Sequence, residues 1–221
     1  TKEDEKPIGV IGGREIIENI FKNPTSEFFD ETKVIQVMNK DLTIISEKIK
    51  LKELLEKWKQ TRRAFSIIPN NLGGYSAISG RKLLEIGANC TTNLTISELP
   101  QKEVTTFDLN DTMRDIINLM LEKNTRKLRL KNTNNFISDR LIIQTVAQDL
   151  NFFRNTTFLD QKIKKSFKLE EAKKISKDVN LAEISKIMYG MLHPYIFFQD
   201  QVITPWDICM ALQSDRIEFL G

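Results

Sequence analysis

Val202-Ile203-Thr204-Pro205-Trp206-Asp207-Ile208 reads as a short strand that runs directly into a helix, with a polar pair at the corner. Proline suits the first helical position because it lacks the amide hydrogen that would go unpaired there, and a hydroxyl residue just before it caps the turn. Asp207 follows Thr204 by three residues. That offset has two readings. In the first, the pair is a capping box, with the carboxylate reaching back to the cap residue. In the second, the exposed amides and positive dipole of the helix start hold an anion, with Thr204 on a phosphate and Asp207 on a sugar hydroxyl pair.

The corner recurs through the chain. Asp41 to Trp58, Glu103 to Met120 and Glu171 to Met188 align without a gap, which sets a period of roughly 60 to 68 residues. An acid opens each copy, and a short β-favouring run follows, centred on Ile45, Phe107 and Ile175. Next come Leu51, Leu54, Leu55 and Trp58, repeated as Met113, Ile116, Ile117 and Met120, and then as Leu181, Ile184 and Met188, with Ser185 as the one polar substitution. Spacings of three and four predict one buried face of an amphipathic helix. Thr112 with Asp115 and Asn180 with Glu183 are cap-and-acid pairs at the starts of two of these helices, whereas Lys50 with Glu53 keeps only the acid.

A hairpin signal follows each helix. The strands are expected at 64–68 and 75–78, at 128–131 and 136–137, and at 195–198 and 202–203, with turns at Pro69 to Gly74, Asn132 to Asn135 and Gln199 to Gln201. Gly73-Gly74 precedes a strand rather than a helix, which favours a turn over a phosphate loop. Each return strand ends in a hydroxyl residue before a new helix, at Ser79, Ser138 and Thr204. The same ending opens the chain, where Pro7 to Ile11 runs into Gly12-Gly13-Arg14-Glu15.

Ile137-Ser138-Asp139-Arg140-Leu141-Ile142 and Val202 to Ile208 carry a resemblance to the CBS domain (cystathionine β-synthase motif), which covers nearly the whole chain. It implies an α+β fold of tandem CBS motifs, each a β-α-β-β-α repeat, paired through their sheets into two Bateman modules with the first motif only half present. The expected boundaries are 1–23, 33–90, 94–150 and 160–221. The first module would join the half copy to the copy ending near Cys90, and the second would span Thr91 to Gly221. The missing half-motif is expected upstream of Thr1 or from a partner chain.

In that family the clefts between paired motifs commonly hold AMP, ADP, ATP or S-adenosylmethionine. The corner hydroxyl contacts phosphate, and the acid three positions later binds the ribose hydroxyls. Thr204 and Asp207 match both positions. Glu15 keeps the acid, but Gly12 has no hydroxyl; Ser79 and Ser138 keep the hydroxyl, but Lys82 and Leu141 replace the acid. A lysine offers no acceptor to a ribose, and a leucine offers nothing polar. The resemblance adds to the site Ile203 and Pro205 at the corner, Ser176 before the first helix of the last copy, and His193, Pro194 and Tyr195 at its hairpin entrance. Ser138, Arg126 and Lys127 are expected from across the cleft.

Composition narrows the function. Lysine and arginine number 33 against 30 aspartates and glutamates, a mixed surface that does not point to nucleic acid. No apolar run approaches the ~18 residues of a membrane helix, and the first residues are not a signal peptide, so a cytoplasmic location is expected. Cys90 and Cys209 form no metal or redox spacing and are expected as buried thiols. Asn93-Leu94-Thr95 and Asn155-Thr156-Thr157 are chance matches to a glycosylation pattern. One histidine and no nucleophilic, paired-carboxylate or metal-type constellation argue against an enzyme. The expectation is a regulatory sensor of an adenine nucleotide that needs no cofactor and acts through a homodimer or an effector protein. The alternatives are an S-adenosylmethionine sensor and a degenerate scaffold for dimerisation or protein–protein contact.

Overall fold

The computed structural model describes residues 6–100, 102–148 and 158–219. The first residues and the Asn155 triplet therefore lie largely or wholly outside the described residues. The chain divides into two compact units. Among the described residues, one gathers 6–8, 42–100, 102 and 173–219, and the other gathers 9–41, 103–148 and 158–172.

The first unit holds the second and fourth copies. In the second, Ile45 donates to Ile67 and Ile67 to Thr43, at 2.8 and 2.9 Å, so the opening run pairs in parallel with strand Phe65–Pro69. Helix Leu51–Thr61 connects them, and Phe65–Pro69 pairs antiparallel with Tyr75–Ser79 before helix Gly80–Ala88. The turn between the strands rests on Asn70, whose Oδ1 accepts from the amides of Leu72 and Gly74, while Gly73 takes φ +78°.

The fourth copy repeats this order. Lys173–Lys174 runs parallel to Ile196–Phe198, which pairs antiparallel with Gln201–Ile203. Helices Leu181–Tyr189 and Pro205–Ala211 complete it. Here the turn is shorter than expected, because Gln199 and Asp200 both adopt positive φ and close the hairpin in two residues. Positive φ at both positions twists the turn in the same sense as the strands it joins. Gln201 is thereby drawn into the strand and buried.

The helical stripes read from the sequence form the core. Leu55, Trp58, Leu181, Ile184 and Met188 have no exposed surface. Burying each contributes about 1.5–3 kcal/mol. The Trp58 indole N–H donates to Ser66 Oγ at 2.8 Å, which satisfies the one polar atom this ring brings inside. Helix Gly80–Ala88 lies against both helices of the fourth copy. Gly87 permits the approach, since a Cβ there would meet Ser185 Oγ at 2.7 Å. Ser185, fully buried, donates its hydroxyl to Leu181 O at 2.7 Å. The polar break in the stripe is thus a helix-crossing position.

The second unit holds the first half-copy and the third copy. Thr106–Phe107, helix Met113–Glu122, strands Lys127–Leu130 and Asn135–Ser138 and helix Asp139–Gln148 follow the repeat order. Glu170–Glu171 adds a fourth strand beside Asn135–Ser138. Helix Gly13–Lys22 packs against Asp139–Gln148 and Met113–Glu122, and Ile17 and Ile20 join Ile116, Ile117 and Phe158 in the core.

Three features of this unit differ from the sequence reading. Among the described residues, the expected strand at Pro7 to Ile11 is a single bridge in which Val10 and Asn39 exchange both amide hydrogen bonds at 2.8 Å. Residues 24–37 carry the short helices Ser26–Glu31 and Val34–Val37, which are too brief to show a periodic stripe. Residues 33–41 and 160–172, read as the heads of the second and fourth copies, fall in this unit. No helix among the described residues is long and apolar enough to cross a membrane.

Candidate functional site

The corner of the fourth copy is built from strand Gln201–Ile203, the cap Thr204 in extended conformation and Pro205 at the first helical position. The Asp207 carboxylate turns back toward Thr204. Its Oδ2 accepts the Thr204 amide at 2.8 Å and the Thr204 hydroxyl at 2.7 Å. Two donors thus hold one carboxylate oxygen and orient the other outward. Oδ1 receives the Lys102 ammonium, whose side chain is 56% exposed against 10% for Asp207. The backbone amide of Lys102 donates to Gln201 Oε1 at 3.1 Å, which anchors the lysine beside the strand.

Beneath the corner lies Cys209, fully buried, with its thiol directed at Gly80 O, 3.6 Å away. Burial, reinforced by the nearby Asp207 charge, pushes this thiol up to about 12. Gly80 and Pro205, the first helical residues of the two copies, adjoin one another here, since a Cβ on Gly80 would stand 3.8 Å from Pro205 Cβ.

The other corners use the same polar positions differently. Ser138 has no exposed surface, and its hydroxyl accepts from the Leu141 amide at 3.3 Å as a helix cap. Lys82 pairs with Glu85 on its own helix at 2.9 Å, and Leu141 is buried. Glu15 receives the Gly12 amide at 2.9 Å, so the acid keeps its capping geometry without a hydroxyl. Asp139, almost fully buried, pairs with Arg126 Nε at 2.5 Å and accepts the Arg140 amide at 2.7 Å. Gly13 leaves room for that pair, because a Cβ there would sit 2.4 Å from Asp139 Oδ2.

The structure places Ile203, Thr204, Pro205 and Asp207 together at the strand-to-helix corner. His193, Pro194 and Tyr195 are half-buried at the hairpin entrance of the same unit, where Tyr195 donates its amide to His193 O at 2.8 Å. Ser176 is exposed, and its carbonyl receives the Val179 amide in the turn before helix Leu181–Tyr189. Ser138, Arg126 and Lys127 lie in the second unit, with Lys127 opening a strand and Arg126 engaged with Asp139. Sequence reasoning missed Lys102 and Gln201. Lys102 stands in a polar connection with no periodicity, and Gln201 looked like a turn residue.

A carboxylate fixed in this way can accept from a sugar hydroxyl pair through its outward oxygen. Among the described residues, no group of three or more histidines, cysteines, aspartates or glutamates is placed to hold a metal.

No family model and no curated protein matches the sequence. Solved structures do match it. Protein MJ1225 from Methanocaldococcus jannaschii, proposed as an archaeal homologue of g-AMPK, is similar with a TM-score of 0.76 and 15% identity, over 95% of this chain and 85% of that one. An uncharacterized conserved protein from Pyrococcus horikoshii has a TM-score of 0.61 at 11% identity, over 95% of this chain and 88% of its own. The CBS-domain containing protein ATU1752 from Agrobacterium tumefaciens covers 54% of this chain and 94% of its own at 12% identity, with a TM-score of 0.43.

Proposed function

From its fold, which is that of the tandem CBS-motif proteins, we propose that this chain is a regulatory sensor of an adenine nucleotide. The carrying observation is the Thr204–Asp207 corner, where the cap fixes one carboxylate oxygen and presents the other. A ribose would take its hydroxyl contacts from Asp207, and a phosphate would approach Thr204. That MJ1225 is itself proposed as a g-AMPK homologue supports a regulatory reading of the shared fold. Such a sensor needs no catalytic group. Ligand binding would favour one arrangement of the chain over another, with a coupling of about 1–3 kcal/mol to the homodimer contact or effector protein that reads it.

A scaffold role is the second reading. Its support is the state of the other corners: Ser138 spends its hydroxyl on a cap, Lys82 pairs with Glu85, and Leu141 is buried. Thermal unfolding with AMP, ADP, ATP and S-adenosylmethionine separates the two readings. A ligand that binds only the folded chain stabilises it by RT ln(1 + [L]/Kd), roughly 2.7 kcal/mol at a hundredfold excess over Kd, and Tm rises accordingly with ligand concentration. The sensor predicts a concentration-dependent rise with one of the four, and a scaffold predicts none.

A further inference from the structure

We infer that Lys102 sets the ligand class of this site, admitting a nucleotide and discriminating against the corresponding nucleoside; this rests on the reading of Thr204 and Asp207 as an adenine-nucleotide site. Both Thr204 donors fall on Asp207 Oδ2, so a sugar hydroxyl has to use Oδ1. That oxygen is where the Lys102 ammonium sits. A ligand therefore enters by exchange, with the ammonium leaving Oδ1 as the sugar arrives. Asp207 is nearly buried and cannot follow, whereas the lysine head is largely solvated on a flexible four-carbon stem.

What the displaced ammonium meets decides the outcome. A nucleoside brings no charge, so the ion pair is lost without replacement. A nucleotide carries its own anion, and the ammonium can move from carboxylate to phosphate. The Lys102 backbone stays in place through Gln201, which keeps the head within one side-chain length of Asp207 in either state. Exchange of one charge-assisted contact for another is nearly balanced, and loss of the contact is not.

Calorimetric titration of the full chain with AMP and with adenosine tests this, using the wild type, Lys102→Met and Asp207→Ala. Lys102→Met is expected to bind adenosine more tightly and AMP more weakly, so the wild-type preference for AMP collapses by on the order of tenfold. Lys102→Arg, which keeps the charge, is expected to restore it. An unchanged AMP-to-adenosine ratio in Lys102→Met, with both ligands bound and binding lost in Asp207→Ala, would overturn the role of Lys102 and leave the nucleotide site standing. Absence of AMP binding by the folded wild type would overturn the site itself, and this inference with it.

Discussion

Thr204 places both its amide and its hydroxyl hydrogen on a single oxygen of Asp207, at 2.8 and 2.7 Å. The cap therefore fixes Asp207 Oδ2 and leaves Oδ1 to the Lys102 ammonium. Thr204→Val keeps the side-chain shape and removes one donor. Its expected cost is about 0.5–1.5 kcal/mol of stability, read from urea denaturation with an unchanged m-value.

Trp58 and Ser66 supply a second test. Ser66→Ala strands a fully buried indole N–H. Removing one partner of a buried hydrogen bond costs about 1–3 kcal/mol, so this small substitution should shift the denaturation midpoint more than most surface changes.

Gly87 and Ser185 should behave as a coupled pair. Gly87→Ala sets a Cβ 2.7 Å from Ser185 Oγ and 3.3 Å from Leu212 Cδ2. Overpacking of this kind costs about 1–3 kcal/mol. The cost should shrink in a Ser185→Ala background, because the closest approach is to the hydroxyl oxygen. Additive effects in the double-mutant cycle would mean the helices do not cross here.

The thiols should be inert. Burial raises the pKa of Cys90, and burial together with the Asp207 charge pushes Cys209 up from 9.0 to about 12. The native chain should therefore resist a disulfide reagent at pH 8 and react only after unfolding. For stability, the sign follows from an elevated folded value. The unfolded chain releases the Cys209 proton near pH 9 and the folded one near pH 12, so this contribution is intact below pH 9 and is lost as pH rises through that window.

The repeat order, the buried stripes and the Thr204–Asp207 corner were all legible in the sequence, because each rests on local spacing. Trp58, Ile117 and Met188 lie in the core where the three-and-four pattern puts them. Three kinds of feature were not legible. Lys102 and Gln201 reach the corner through contacts about a hundred residues apart in sequence, which no local pattern records. Ser185 looked like a defect in a stripe until its partner Gly87 was seen. The residues from Pro7 to Ile11 have strand-like composition, yet among the described residues they form a single bridge, from Val10 to Asn39, because a ladder depends on a distant partner that local composition does not record.

The most direct test of the nucleotide reading is calorimetric titration of the wild type and Asp207→Ala with AMP, ADP and ATP, with both proteins shown to be folded. Loss of the capping carboxylate should cost about 1 kcal/mol of stability and leave the fold intact. The account predicts saturable binding of one of these nucleotides to the wild type and its loss in Asp207→Ala. Equal affinity in the two proteins would contradict it.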